Sequence, residues 1–261
     1  MSSVLWSSSE FDFLYARGIV LQWSWLVWPL CLFYLISLYG LQQLMRKRPP
    51  VKPNNLLALW NGTLAMFSAA GLINVTPEFI QSYQSTGFFG TYCRRGSYYQ
   101  GVTGYWGWLF LVSKIVELGD SYWLVLRKRP LIFLHYYHHS FTLINSVYGY
   151  PTGLALCRWG VAFNYAAHTC MYSYFTARAL NINVPVQMAR SVTCLQIFQF
   201  AACILVTLHL CVMRMVFDVR CDFTWPVLLS GLLMYVSYLA LFINFYIKAY
   251  RRADSSHTKE Y

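Results

Sequence analysis

Residues 131–140, LIFLHYYHHS, crowd three imidazoles together as His135, His138 and His139. KIVELGDS (114–121) adds Lys114, Glu117 and Asp120, NYAAHTCMYSYF (164–175) adds Asn164 and His168, and TCLQIFQF (193–200) adds Gln196 and Gln199. All four stretches lie in strongly apolar surroundings, where an ionisable group is costly and by default marks a functional site. Two chemistries suit such a set. Histidines hold metals, and His135, His138 or His139, and His168 could ligate a single ion. Alternatively, an imidazole attacks a thioester to give an acyl-imidazole, while a second His, an Asn or a Gln polarises the carbonyl or a developing enolate. One membrane His or Gln alone is explained as well by an interhelical hydrogen bond, and Lys114 with Glu117 by a self-neutralising pair. Neither accounts for Asp120, nor for so many polar groups from four segments, which need one another or a wet cavity.

The elements that carry these groups are read as membrane-spanning helices. The chain has 261 residues, is 57% hydrophobic and only 11% charged, against about 25% charged in soluble domains. Its apolar residues fall into seven blocks, roughly 19–45, 54–75, 104–126, 131–150, 152–177, 186–212 and 224–247. Each is about as long as a helix that crosses a bilayer. The fold class is therefore an all-α membrane protein with seven transmembrane helices, one domain over 1–261, with 1–18 and 248–261 outside the spans. The start lacks a positive region and a cleavage site, so the first block reads as an uncleaved anchor.

If all seven blocks span, one side holds Arg46, Lys47, Arg48, Lys52, Arg127, Lys128, Arg129, Arg178, Arg190, Lys248, Arg251, Arg252 and Lys259, against Asp254 and Glu260. The positive-inside rule makes that side cytosolic, with the N-terminus outside or lumenal and the C-terminus in the cytosol. The net charge of +11 thus reads as orientation and contact with anionic lipid, not as a nucleic-acid surface. Depth follows from the same topology. Asp120, His135 to His139 and His168 all fall about two turns from the cytosolic ends of their helices. A receptor or transporter would explain seven spans but not polar groups gathered at one depth.

Between the blocks, 76–103 reads as the one sizeable non-helical stretch, and GYPTG (149–153) as a tight outer turn. Asn61 and Asn74 match the glycosylation pattern but lie in or at the end of a span, so neither is expected to be used. Cys93 and Cys221 stand in polar loops on the non-cytosolic side, where an oxidising lumen permits a disulfide. Their pairing is expected, with Cys211 or Cys157 as competitors. His209 and His257 look incidental.

In order and spacing, KIVELGDS, HYYHH, NYAAHTCMYSYF and TCLQIFQF resemble the boxes of the ELO family, the elongases of very long-chain fatty acids. The motifs cover 114–199, and the span count agrees over the rest. The resemblance implies seven helices, six of them ringed around a closed-ended acyl tunnel, in the endoplasmic reticulum membrane. It implies condensation of acyl-CoA with malonyl-CoA to 3-oxoacyl-CoA, CoA and CO2, with no metal and no cofactor beyond these substrates. Other enzymes of the elongation cycle, or further copies of the chain, would be its partners. By position, His138 resembles the nucleophile and His168 its partner across the tunnel, with His135 and His139 tuning them. Asn164, Gln196 and Gln199 resemble donors to carbonyl or enolate oxygens, and Lys114, Glu117 and Asp120 a supporting network. Ser121 stands where the family commonly has Thr, and Phe175 where it commonly has Tyr. Arg127, Lys128, Arg129, Arg178, Lys248 and Arg251 become candidates for the CoA phosphates. LRKRPLIFLHYYHH is most similar to the subgroup acting on saturated and monounsaturated chains.

Overall fold

The computed structural model describes residues 8 and 10–251, for residue 251 the backbone alone. Asp12 starts the first helix by accepting from the backbone amides of Leu14 and Tyr15, which satisfies two orphan donors of the first turn. This helix, α1 (Phe13–Trp23), passes through a 3-10 turn (Ser24–Leu26) into α2 (Val27–Met45). Then follow α3 (Asn54–Cys93), α4 (Gly101–Val116), α5 (Gly119–Leu126), α6 (Phe133–Gly149), α7 (Cys157–Ala179), α8 (Val186–Met215) and α9 (Trp225–Tyr246). With α1–α2 and α4–α5 each counted as one rod, the chain forms seven rods and, among the described residues, no strand.

Two expectations are corrected here. Block one, 19–45, is only part of a rod that already begins at Phe13. The stretch 76–103 is not one loop: α3 is helical to Cys93 and α4 starts at Gly101. The polar residues of α3 are accommodated inside the helix. The side chains of Asn74, Thr76, Ser85 and Thr86 donate to carbonyls four residues back, and Glu78 is held by Arg158 of α7. Pro77 sits inside the helix, and Gly87, at φ +69°, provides a kink that a residue with Cβ adopts only under strain. Both sequons are helical too, with Asn61 bonded to the Leu57 carbonyl and Asn74 to that of Ala70.

Four helical stretches are long and apolar enough to cross a membrane: Phe13–Met45, Asn54–Cys93, Val186–Met215 and Trp225–Tyr250. Leu32, Met66, Ile73, Leu205 and Leu233 stand exposed on them, as in a protein whose outer solvent is lipid. The chain is a multi-pass membrane protein. The other three rods, α4–α5, α6 and α7, carry Lys114, Glu117, Asp120, the histidine box, Asn164 and His168, and α4, α5 and α6 are short, at 16, 8 and 17 residues. They are the rods packed inside: α7 lies along α3 and against α8, while α6 touches α2, α4 and α9.

The ends of the rods are tied differently. At one end the loop after α2 meets that after α5, where Val51 donates to the Leu126 carbonyl and Lys128 to that of Arg46. At the other end Cys93 and Cys221 form a disulfide. Beside it Asp222 donates from its amide to the Cys93 carbonyl and accepts from the amides of Ala155 and Arg95.

Candidate active site

α4 ends where the backbone tightens. Leu118, Asp120 and Ser121 donate to carbonyls three residues back instead of four, a 3-10 geometry that within a rod marks a strained or functional point. The reading of 104–126 as one helix is therefore corrected to two, α4 and α5, and Asp120, at the start of α5, takes hydrogen-bond partners of its own. Trp60 Nε1 and the Tyr172 hydroxyl both donate to its carboxylate, at 2.7 and 2.6 Å. Gly119 makes room for this, since a Cβ there would stand 2.6 Å from the Trp60 ring.

Lys114 and Glu117 are both buried and form an ion pair. Lys114 Nζ donates to the two Glu117 oxygens at 2.7 and 3.0 Å and to Asn164 Oδ1 at 2.9 Å. Ser113 Oγ adds a bond to Glu117 at 2.9 Å. Buried charges are tolerated when bonded this fully. Because Asn164 Oδ1 accepts from Lys114, its Nδ2 is the donor to His168 Nε2, 3.2 Å away. His168 Nε2 is then the acceptor and Nδ1 carries the proton, facing Glu117 Oε1 at 3.7 Å. The chain Lys114–Glu117–Asn164–His168 thus fixes an amide and an imidazole across α4 and α7.

The histidine box opens α6. Residues 135 and 139 share a face at i, i+4, and their rings lie 4.6 Å apart, with His139 5.4 Å from His138. His139 is buried, and His135 Nε2 is enclosed without a hydrogen-bond partner among the described residues. His138 points elsewhere. Its ring packs 4.7 Å from Tyr238 and edge-on to Phe200 and Phe242, within electrostatic reach of His168, Lys114 and Glu117. Tyr238 donates to the backbone carbonyl of His138 at 2.9 Å and shares a 2.9 Å bond with the Thr142 hydroxyl, which holds this turn of α6 against α9.

His138, Asn164 and Gln199 face one cavity of about 120 Å³. It runs past Phe110, Leu111, Thr142, Ser146, Phe200 and Met234 to Tyr98, Tyr99, Tyr150, Leu154 and Leu156. Its wall comes from α4, α6, α7, α8 and α9 and the loops at the disulfide end; no residue of α2 or α3 lines it. α3 instead backs α7. Of the remaining candidates, Lys114, Glu117 and His168 stand behind Asn164, and His135 and His139 behind His138. Gln196 turns away from the cavity to Met171 Sδ, at 3.3 Å. Among the described residues no three His, Cys, Asp or Glu side chains form a group able to hold a metal ion. Phe175, in the place where a Tyr was expected, is exposed.

Lys128, Arg129, Arg178 and Lys248 are exposed and Arg127 half-buried. Burial and the neighbouring Arg129 pull the Arg127 guanidinium below its ordinary range. The side chain of Arg251 lies outside the described residues, as do Arg252 and His257. His209 is held by Tyr92, its Nδ1 2.6 Å from the phenol oxygen.

Several contacts had no signature in the sequence. Tyr238, Thr142 and Phe200 around His138, and Trp60 and Tyr172 around Asp120, are ordinary aromatic or hydroxyl residues until packing places them. Arg158 could have been suspected: an arginine in an apolar block needs a partner, and Glu78 is an acid close to another block.

The chain is thus an all-helical multi-pass membrane protein with a buried Lys–Glu–Asn–His network beside a cavity that His138 lines. The chain belongs to the ELO (GNS1/SUR4) family, whose model matches residues 19–258. It is 42% identical over 231 residues to the Caenorhabditis elegans protein named long chain fatty acid elongase 2, covering 87% of this chain and 84% of that one. It is 35% identical to the Drosophila melanogaster very long chain fatty acid elongase 6, covering 92% of this chain and 78% of the relative. The human very long chain fatty acid elongase 6 is 32% identical over 96% of this chain and 95% of its own.

Proposed function

We propose that this protein is a fatty acid elongase, a 3-oxoacyl-CoA synthase that condenses a long-chain acyl-CoA with malonyl-CoA, releasing CoA and CO2. The observation that carries the reading is the shared cavity: His138 opens onto it beside Asn164, which the Lys114–Glu117 pair holds in place. The neutral imidazole of His138 attacks the thioester carbonyl, and CoA leaves as the thiolate and takes the imidazole proton. Malonyl-CoA then loses CO2, the electron pair forms an enolate, and the enolate carbon displaces the imidazole, which takes up one proton from solvent as it leaves, to give 3-oxoacyl-CoA and neutral His138. Asn164 and Gln199, on the cavity wall, donate to the developing oxyanion, and His168 orients Asn164. Shielding from bulk water preserves the acyl-imidazole until the second substrate arrives.

The acyl tail occupies the cavity as a tunnel closed at the Tyr98–Tyr150–Leu156 end, each buried methylene contributing about 0.8 kcal/mol. Arg127, Lys128, Arg129, Arg178 and Lys248 take the CoA phosphates at the other end. The seven rods are seven spans of a single domain in the endoplasmic reticulum membrane, with the N-terminus lumenal and the C-terminus cytosolic. The Cys93–Cys221 disulfide, at the end away from the basic loops, supports that orientation, because the lumen is oxidising.

The test is an assay of membranes containing the protein with palmitoyl-CoA and labelled malonyl-CoA. Labelled 3-oxo product is expected from the wild type and none above background from His138→Ala. No product from the wild type with any acyl-CoA of about 12 to 22 carbons would overturn the proposal.

A further inference from the structure

The outer end of the cavity is not purely apolar. Four phenols there and along the wall are committed within the protein. Tyr98 donates to the Cys157 carbonyl and Tyr99 to that of Leu154, Tyr238 to that of His138, and Tyr235 bonds the Cys203 side chain. Tyr150 differs. It lines the same cavity and is only 6% exposed, yet its hydroxyl has no hydrogen-bond partner among the described residues. An unpaired buried hydroxyl is costly. Phe13, Tyr99 and Trp108 pack on the Tyr150 ring at centroid distances of 5.5–6.0 Å, so the cavity that Tyr150 lines is where a partner for its hydroxyl would come from. Ser146, one helical turn earlier, faces the cavity as well.

The position of Tyr150 fixes what would meet it. From His138 to Tyr150, the first residue after α6, the chain advances twelve residues, about 18 Å at 1.5 Å per residue. An extended chain gains about 1.2 Å per single bond, as the backbone does over its three bonds per residue. A fatty tail anchored at His138 therefore brings its fourteenth to sixteenth carbons, roughly, to the Tyr150 hydroxyl. A plain methyl end leaves that hydroxyl unpaired; an oxygen at that point pairs it. We infer that the site takes, and prefers over the plain chain, long acyl-CoA substrates that carry a hydroxyl at or next to the methyl end, with Tyr150 as the residue that recognises the hydroxyl. A site built to bond a hydroxyl discriminates strongly against the analogue that lacks it. The inference rests on the elongase reading and assigns a substrate class to the same cavity.

The experiment compares ω-hydroxypalmitoyl-CoA with palmitoyl-CoA as acyl donors to malonyl-CoA, reading kcat/KM for each. The wild type is expected to favour the hydroxylated donor, and Tyr150→Phe to lower the ratio of the two values about 10-fold, the worth of one well-made buried hydrogen bond. As a measurement that needs no variant, ω-hydroxypalmitoyl-CoA should compete with palmitoyl-CoA for the wild type more strongly than unlabelled palmitoyl-CoA itself does. Elongation of palmitoyl-CoA alone, or a ratio that Tyr150→Phe leaves unchanged, overturns the inference while leaving the elongase reading intact; the latter result would mean that the hydroxyl is simply hydrated. Elongation of neither donor overturns both.

Discussion

Two buried ion pairs lie near opposite ends of the bundle, and they are finished differently. Arg158 and Glu78, near the disulfide, form a closed set. The guanidinium donates twice to Glu78 at 2.8 Å and to the carbonyls of Thr91, Arg94 and Arg95, and Arg158 is not on the cavity wall. Lys114 and Glu117, near the basic loops, pass their polarity on through Asn164 to His168 and to a cavity that His138 shares. Burial of charge alone therefore says little about function. What separates the two is whether the network ends inside the protein or opens onto a space that a substrate can fill.

The comparison can be broken by mutation, and the largest effect is expected at His138. His138→Ala removes the proposed nucleophile, and condensation in the labelled malonyl-CoA assay should fall by at least about 10³-fold while the protein remains folded in detergent. Lys114→Met should cost about 10²-fold in kcat with a smaller change in KM, because it frees Asn164 rather than emptying the acyl cavity. If the open pair were merely structural, its loss would appear in thermal unfolding and not in the rate. The closed pair should behave in the opposite way. Arg158→Met leaves Glu78 buried without its partner and is expected to destabilise by about 3–5 kcal/mol, seen as a lower melting temperature, with kcat of the surviving folded protein within about 2–3-fold of wild type. Cys93→Ser with Cys221→Ser should follow it, with about 2–5 kcal/mol lost and no change in the chemical step. The smallest contrast lies within one helix. Gln199→Ala, on the cavity wall, should lower kcat about 10-fold, whereas Gln196→Ala, turned to Met171, should stay within about 2-fold in the same assay.

The same contrast explains what was legible in the sequence. Groups that betray themselves by being out of place were readable: Lys114 beside Glu117 at i, i+3, Asn164 below His168 at i, i+4, three imidazoles in an apolar run. Helix periodicity also orders them, which is why His138 and His139 face different neighbours. Polar residues that satisfy themselves locally were misread. Thr76, Ser85 and Thr86 look like loop residues, yet each bonds a carbonyl four back and continues α3, while Glu78 is neutralised from a helix distant in sequence. The break at 117–118 was also invisible, since Gly119 reads as a mild helix weakness until Trp60 is seen to occupy its space. Nor does the sequence reveal that the cavity wall draws on α4, α6, α7, α8 and α9, or that Gly71 lets the Tyr165 ring close against α3. Such packing choices depend on pairs of residues far apart in the chain, and a single sequence carries no record of them.

The central claim is that His138 carries the acyl group, and trapping that adduct tests it most directly. The purified protein is incubated with palmitoyl-CoA in the absence of malonyl-CoA, digested rapidly and analysed by mass spectrometry. A palmitoyl group on the peptide containing HYYHH, fragmenting to His138 and discharged when malonyl-CoA is added, is the predicted result. Efficient condensation with no adduct on His138, or with the acyl group on another residue, would contradict the account.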